Sequence, residues 1–121
     1  MKGIIVTTDC EVRVEDFDDP LYKTVGSAVD GYIEHVHPMR LVPPFCMIVN
    51  EEGRLRNLPV NSIGSFLYGA DQHGEPIVGD IVIMKDGYRD GEPDIIGLED
   101  AEVEKVKYVI SELREYWEAT I

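Results

Sequence analysis

The sequence contains only two cysteines, Cys10 and Cys46, and no C-x-x-C arrangement that would indicate a metal or redox motif. Their position in separate strand-like segments is typical of buried, reduced thiols in a cytosolic protein. Long apolar runs are absent as well. Residues 45–49 and 81–84 fall far short of the roughly 20 residues that a membrane span needs. Because Met1-Lys2-Gly3 leads into a strand-like run without the apolar core of a signal peptide, we expect a cytoplasmic location and no membrane association.

Basic residues are scarce. The chain has 11 lysines and arginines against 24 aspartates and glutamates, a net charge of −13 and a pI near 4.4. Nucleic-acid-binding proteins neutralise phosphates with clustered Lys and Arg, so the composition argues against direct nucleic-acid binding. Two interpretations of the charge stay open. It serves solubility or a salty cytoplasm, or it forms an acidic surface that competes with nucleic acid for a basic groove on a partner.

What is present is ordinary globular composition, with 44% hydrophobic and 29% charged residues in a chain of 121. A chain of this length can bury a core without disulfides or metal, so residues 1–121 are predicted to form a single domain. Helical spacing predicts three helices, and β-branched or alternating segments predict strands at residues 3–8, 11–15, 32–37, 45–49 and 77–84. The predicted class is α+β: a small, mainly antiparallel sheet with two or three helices packed on one side, including a long C-terminal helix.

Local signals predict several boundaries. Asp18-Asp19-Pro20 is predicted to cap the first helix and Gly31 to end it. Residues 50–53, Asn-Glu-Glu-Gly, are predicted to form a tight turn between two strands. Gly53 would supply a positive φ in that turn, and a short return strand would run through Leu55.

The C-terminal helix, predicted at residues 98–119, carries an apolar stripe at 3-4-3-4 spacing: Val103, Val106, Ile110, Leu113 and Trp117. Acidic residues crowd the N-terminal end of this helix, where the helix dipole favours negative charge. A stripe of this kind packs either on the protein's own sheet or on a second copy of the chain. The second alternative would make the protein a homodimer or a larger homo-oligomer with a structural role.

Two histidines, His35 and His37, occupy alternate positions of a predicted strand and therefore share one face. A metal site needs a third ligand, but Glu34 points to the opposite face and His73 lies in a distant loop. We therefore expect ordinary histidines and no metal site. Adjacent turn glutamates, such as those at positions 51 and 52, diverge into solvent, so no catalytic carboxylate pair is expected either.

Motifs for nucleophilic or cofactor chemistry are missing from the chain. It has no G-x-S-x-G, no P-loop and no G-x-G-x-x-G, and neither cysteine has a base nearby in the sequence. The expectation is a protein without catalytic residues and without a cofactor, and so not an enzyme.

Two segments resemble a known family. Val29-Asp30-Gly31-Tyr32-Ile33-Glu34 is similar to a G-G-Y-I-E strand, and Val49-Asn50-Glu51-Glu52-Gly53-Arg54-Leu55 is similar to an N-E-E-G-x-L turn. With Asn61, a Gly79-Asp80 step and the terminal helix following in order, the chain resembles small domains of unknown function that are common in bacteriophages, plasmids and other mobile elements. Asp30 replaces the first family glycine. The resemblance implies a fold and a setting in an infected or plasmid-bearing cell, and no reaction.

The residues of these segments have two interpretations. They are structural if Asn50 closes an Asx turn and Asn61 caps a helix. Alternatively, they line a concave edge of the sheet and bind a small polar ligand. The candidate ligand-binding residues are Tyr32, Glu34, Asn50, Glu51, Glu52 and Asn61.

The leading hypothesis is a non-enzymatic accessory protein of a mobile element. It would act as a stoichiometric acidic binder, in effect a nucleic-acid mimic, of a host defence or nucleic-acid-handling protein with a basic surface. The alternative is a small-ligand module that binds or sequesters a nucleotide-like signal. Such an anion needs a local positive patch, for which Arg40, Arg54 and Arg56 are the candidates.

Overall fold

A computed structural model describes the backbone of residues 1–120 and the side chains of residues 1–115. Strands and helices alternate irregularly along the described chain. The strands are β1 (Lys2–Val6), β2 (Val12–Asp16), β3 (Ile33–Val36), β4 (Phe45–Asn50), β5 (Ile81–Arg89) and β6 (Glu92–Ile96). The helices are α1 (Leu21–Val29), α2 (Ser62–Tyr68), α3 (Ala70–His73) and α4 (Asp100–Thr120).

The described strands form a sheet in the order β2-β1-β5-β4-β3, and every pairing between them is antiparallel. β1 and β6 lie end to end along the same side of β5. β1 pairs with residues 81–83 of β5, and β6 pairs with residues 85–89. β3 lies at one edge of the sheet. The predicted α+β class, with a mainly antiparallel sheet and a long C-terminal helix, is confirmed.

The sheet has an apolar layer on each face. All six residues of β4 are buried. Phe45, Met47 and Val49 belong to the core formed with α2 and α4, whereas Cys46 and Ile48 belong to the core formed with α1. Helices therefore cover both faces, and the expectation that they all lie on one side is wrong. The unbroken apolar run of β4 is the sequence signal for this, because a strand buried on one face only alternates.

The first helix differs from its predicted caps. Pro20 occupies the N-cap position with extended backbone, and no side chain caps the helix, so Asp18-Asp19 does not have the expected role. The helix ends at Asp30, whose φ of 64° is left-handed, rather than at Gly31. Asp30 tolerates this conformation because short polar side chains visit the left-handed region more readily than most.

The return strand predicted through Leu55 does not form, and residues 51–57 make successive turns instead. Gly53 is not among the glycines with positive φ. Gly53 is required for close packing instead, since an added Cβ would lie 2.8 Å from Cγ2 of Val78. A glycine required for close packing and a glycine required for a turn look the same in a sequence.

α4 packs its apolar stripe against the sheet. Val103, Val106 and Ile110 are buried in the core that also contains Ile4 and residues of α2. These three residues are thus covered by the protein itself, whereas Leu113 is partly exposed. The side chain of Trp117, which completes the predicted stripe, lies outside the described residues. None of the described helices has the length and hydropathy to cross a membrane.

Candidate functional site

Asn50, at the end of β4, joins the two segments that carry the family resemblance. Its Nδ2 donates to the carbonyl oxygens of Val29 (2.9 Å) and Asp30 (3.0 Å), and its Oδ1 accepts from the N–H of Glu52 (2.8 Å). Gly31 permits this approach, because an added Cβ would lie 2.7 Å from Nδ2. The predicted Asx turn is confirmed, and the Asn50 amide is committed to backbone groups.

Asn61 is fully buried at the start of α2. Its Oδ1 accepts from the N–H of Gly64 (2.8 Å), which confirms the predicted helix cap. Its Nδ2 donates to the carbonyl oxygens of Val6 and Gly79, both at 2.9 Å. The side chain thereby ties α2 to the end of β1 and to the segment before β5, with both ends of its amide in use.

The structure brings three of the six candidate ligand-binding residues together. Glu34, Asn50 and Glu51 line one groove. Tyr32 is 72% exposed at the corner between α1 and β3, where it borders a different hollow. Glu52 is exposed beside the groove residues but does not line the groove. The proposed set is therefore divided between a groove, a corner and, for Asn61, the core.

The groove lies beside the edge strand β3 and has a volume of about 460 Å³. It is bounded by β3, the end of β4 and its following turns, the end of α2, and the segment before β5. Apolar side chains from these elements form its walls: Val36, Val49, Leu55, Ile77 and Val78. The groove is thus a partly apolar trough at an exposed edge of the sheet.

The charge of the groove is negative. Glu34, Glu51, Glu75 and Arg54 line it, and Nη2 of Arg54 lies 3.0 Å from Oε2 of Glu75. That ion pair balances one carboxylate. Within the described part of the chain, Glu34 and Glu51 have no cationic partner within ion-pair distance. Two uncompensated carboxylates therefore face the groove.

The three arginines proposed as a positive patch do not form one. Arg40 binds both carboxylate oxygens of Asp71, at 2.6 and 2.9 Å, and Arg56 pairs with the carboxylate of Asp30 at 2.8 Å. Arg54 is the residue already paired in the groove. Hydrogen bonds from Arg40 hold the pKa of Asp71 well below its ordinary value, which keeps that carboxylate charged beside the guanidinium. The positive charge that an anionic ligand would need is therefore neutralised locally.

A second cluster lies on the other face of the sheet, around the histidine pair. Nε2 of His35 lies 2.6 Å from Oδ1 of Asp86, and Nε2 of His37 lies 2.8 Å from Oδ2 of the same carboxylate. The donor atoms of His35, Cys46 and Asp86 all lie within 4.8 Å of one another. Nitrogen, sulfur and oxygen donors thus meet beside an open hollow of about 330 Å³.

The protonation of this cluster follows from its surroundings. Burial raises the pKa of the Cys46 thiol to about 12, and the adjacent Asp86 carboxylate adds to the rise. For Asp86, partial burial acts to raise the pKa, but hydrogen bonds with His37 and His35 outweigh it and the pKa lies below its ordinary value. At neutral pH the carboxylate is therefore an anionic acceptor, and the thiol beside it keeps its proton.

Asp86 and Cys46 were missed as partners of the histidines because they come from other strands. β3 pairs with β4, and β4 pairs with β5, so the cluster needs two long-range pairings that no local pattern specifies. The sequence signal that could have found them is the alternation of side chains between the two faces of each strand. Residues two apart share a face, and strand pairing then aligns those faces across the sheet.

Comparison with known proteins identifies a family for the chain. The domain of unknown function DUF3846 matches residues 1–111. No curated protein and no solved structure matches the chain. The chain belongs to the DUF3846 family, and the expected relationship to a family of domains of unknown function is confirmed at that level.

Proposed function

We propose that this DUF3846 domain is a non-enzymatic, stoichiometric binder of a protein with a basic surface. The observation that carries the proposal is the acidic groove beside β3, where Glu34 and Glu51 present carboxylates that no described cation neutralises. The resemblance to domains of mobile elements favours a host defence or nucleic-acid-handling protein as the partner. The proposal gives the groove the role of receiving part of that protein's basic surface.

The groove suits a lysine or arginine side chain. Its apolar walls, which include Val36 and Val49, match the aliphatic stem of such a side chain. The carboxylates of Glu34 and Glu51 match its charged head, and an arginine guanidinium can bind carboxylate oxygens through two parallel hydrogen bonds. A partner seated over these apolar walls would exclude water from the groove, which strengthens the interaction between the charges.

An anionic, nucleotide-like ligand fits the groove poorly. The two uncompensated carboxylates would repel phosphate groups, and Arg54 is already paired with Glu75. The side-chain amides of Asn50 and Asn61, which would have recognised a polar ligand, bond backbone groups instead. These contacts favour a cationic occupant over the alternative.

The charge of the whole chain acts in the same direction. A net charge of −13 attracts a basic partner over a distance and accelerates encounter at low salt. Nucleic-acid-handling proteins hold phosphates in grooves rich in Lys and Arg. An acidic domain seated in such a groove would exclude nucleic acid by occupying the same cations.

The test compares two variants with the same change in net charge. Glu34→Gln/Glu51→Gln removes the groove carboxylates, and Glu104→Gln/Glu112→Gln removes two exposed carboxylates of α4. Binding of a fluorescent arginine-rich peptide is followed by anisotropy at low and physiological salt. We expect the groove variant to lose at least about tenfold in affinity, or about 1.4 kcal/mol. The α4 variant should lose less than about threefold, because its carboxylates lie outside the groove and act on the peptide only through the net charge, which salt screens.

Equal losses in the two variants would reduce the effect to net charge and contradict the groove. Binding that does not weaken with salt would contradict the electrostatic basis. Capture from a host lysate on the wild type and on the groove variant then identifies the partner as a protein that only the wild type retains. A nucleotide that raised the melting temperature of the wild type but not of the groove variant would support the small-ligand alternative instead.

A further inference from the structure

The histidine cluster stands apart from the proposed binding groove. Glu34 pairs with Val49 in the sheet, on the face covered by α2 and α4, whereas His35 pairs with Ile48, on the face covered by α1. The two features therefore lie on opposite faces of β3. A role for the cluster has to be sought in its own chemistry.

We propose that His35, Cys46 and Asp86 form a binding site for a divalent cation of the zinc class, with His37, which contacts the Asp86 carboxylate, as the fourth ligand. Two imidazole nitrogens, one sulfur and one carboxylate make a donor set that borderline-soft cations such as Zn²⁺ accept in tetrahedral geometry. Mg²⁺ and Ca²⁺ are disfavoured, because both prefer oxygen ligands throughout.

The distances between the donor atoms of the cluster are close to those found in a metal site. Metal–ligand distances of about 2.0–2.3 Å place tetrahedral donors roughly 3–4 Å apart. The donor atoms of His35, Cys46 and Asp86 already lie within 4.8 Å of one another, and each histidine Nε2 lies within 2.8 Å of the Asp86 carboxylate. Cation binding would release to solvent the thiol proton of Cys46 and the protons shared between the histidines and Asp86, and side-chain rotations would draw the donor atoms together.

The cluster is buried in the sheet on the side of Cys46 and open to solvent on the side of the histidines. Cys46 is fully buried, and its strand pairs through Met84, two residues before Asp86 on β5. His35 and His37 lie on β3 with their rings in an edge-to-face contact, 4.6 Å between centroids. The adjoining hollow of about 330 Å³ gives a cation a path from solvent. A site of this kind is pre-organised before the metal arrives.

Cation binding at this position would cross-link three neighbouring strands. β3 lies at the edge of the sheet and makes its described pairings only with β4. A bond from His35 or His37 to the cation would add a second attachment, through Cys46 to β4 and through Asp86 to β5. Because the cation would bind only the folded arrangement, it would also raise the free energy of unfolding by mass action.

The test uses the full-length chain with no histidine tag. Co²⁺ is titrated as a spectroscopic substitute for Zn²⁺, and Zn²⁺ is then added to displace it. We expect one equivalent of Co²⁺ to give tetrahedral ligand-field bands together with a thiolate-to-cobalt charge-transfer band. His35→Ala and Asp86→Asn should each weaken Zn²⁺ binding by more than about tenfold, the loss that even outer groups of a metal site can cause.

The chain supplies matched controls for both kinds of ligand. His73→Ala removes the third histidine, which contacts the carbonyl oxygen of Tyr68 rather than the cluster, and Cys10→Ser removes the other thiol. Both should bind Co²⁺ as the wild type does, whereas Cys46→Ser should lose the thiolate band. If Cys46→Ser does not fold, the partly exposed His35 and His37 still report on the site through His35→Ala and His37→Ala.

Three results would overturn the proposal. One is the absence of a thiolate band in the wild type, which would remove Cys46 from the coordination sphere. Another is Zn²⁺ binding that His35→Ala and Asp86→Asn leave unchanged, which would locate the cation elsewhere. The third is an equal loss of binding in His73→Ala, which would indicate general surface coordination.

Discussion

At the scale of single residues, Asn50 and Asn61 each bond three backbone groups, which come from two parts of the chain for Asn50 and from three for Asn61. A buried backbone group left without a partner costs about 1–3 kcal/mol. Asn50, Asp30 and Gly31 bring the two segments of the family resemblance into contact, and Arg56 adds an ion pair to Asp30. The residue types at this junction are explained by the fold without a ligand.

Replacement of Asn50 should therefore destabilise the domain. Asn50→Ala leaves the carbonyl oxygen of Val29 and the N–H of Glu52 without their partner, so we expect a loss of about 2–3 kcal/mol. The measurement is urea denaturation of purified variants. Glu51→Ala, in the same turn and exposed, is the matched control and should change stability by less than about 0.5 kcal/mol. A similar cost for both variants would show that the turn, and not the amide, stabilises this junction.

The candidate site was predictable from the sequence only in part, and the reason lies with these residues. Turn and cap signals placed Asn50 and Asn61 correctly, because an asparagine bonds backbone groups close to itself in the chain. The bonds of the same amides to Val29 and Val6 depend on tertiary contacts and had no local signal. Asp86 escaped prediction for the same reason, since strand pairing and not spacing brings it to the histidines.

At the scale of elements, Glu102 fixes the start of α4. Its Oε1 accepts from Nζ of Lys85 (2.7 Å) and from the N–H of Glu99 (2.9 Å), so the third residue of the helix reaches back to the residue before it, as in a capping box. Partial burial acts to raise the pKa of Glu102. The hydrogen bonds from Lys85 and Glu99 outweigh it, and the pKa lies below the ordinary 4.5.

The sign of that shift predicts a pH-dependent difference between variants. A carboxyl whose pKa is lower in the folded state contributes stability above its ordinary pKa and loses it as the pH falls through the folded value. We expect Glu102→Gln to be less stable than the wild type by about 1 kcal/mol near pH 7, where Lys85 loses its charged partner. The difference should narrow as the pH falls below 4.5.

Urea midpoints measured across this pH range check the prediction. Glu104→Gln, an exposed carboxylate in the same helix, is the control and should show little difference from the wild type at any pH. A difference for Glu102→Gln that stayed constant with pH would mean that lost packing, and not lost charge, causes the effect.

Elements with a strong internal period were the most predictable. The stripe of α4 and the alternation of β2 correspond to elements that form close to their predicted bounds. The predicted return strand after β4 does not form, and Gly53, which predicted a turn with positive φ, instead allows a close contact with Val78 that no local pattern encodes. The sequence did not predict that α1 covers the opposite face of the sheet, because a single amphipathic helix does not specify which face it covers.

At the scale of the whole molecule, the net charge of −13 opposes folding. Seven of the lysines and arginines pair with carboxylates in the described part of the chain: Lys2, Arg13, Arg40, Arg54, Arg56, Lys85 and Arg89. Most of these pairs are exposed, and exposed pairs contribute little. The excess carboxylates therefore repel one another in the folded state with few cations to offset them.

Salt should stabilise the domain for this reason. We expect the melting temperature at neutral pH to rise as NaCl is increased towards about 0.5 M, where charges more than a few ångströms apart are screened. Near the pI of about 4.4 the net charge vanishes, and the rise should disappear. Thermal denaturation followed by circular dichroism at both pH values makes the measurement. A fall in melting temperature with salt at neutral pH would mean that attractive ion pairs outweigh the repulsion.

β1 precedes the other described strands in the chain, but one of its two neighbours in the sheet comes much later. It pairs with β2 within the first 16 residues, but its other neighbour is residues 81–83 of β5, and Lys2 also bridges to Leu98. During synthesis, the hairpin of β1 and β2 keeps its apolar side uncovered until β5 has emerged from the ribosome. Contacts so distant in sequence form slowly, and exposed strand edges are prone to aggregate meanwhile. We therefore expect the hairpin of β1 and β2 to depend on chaperones until β5 has been synthesised.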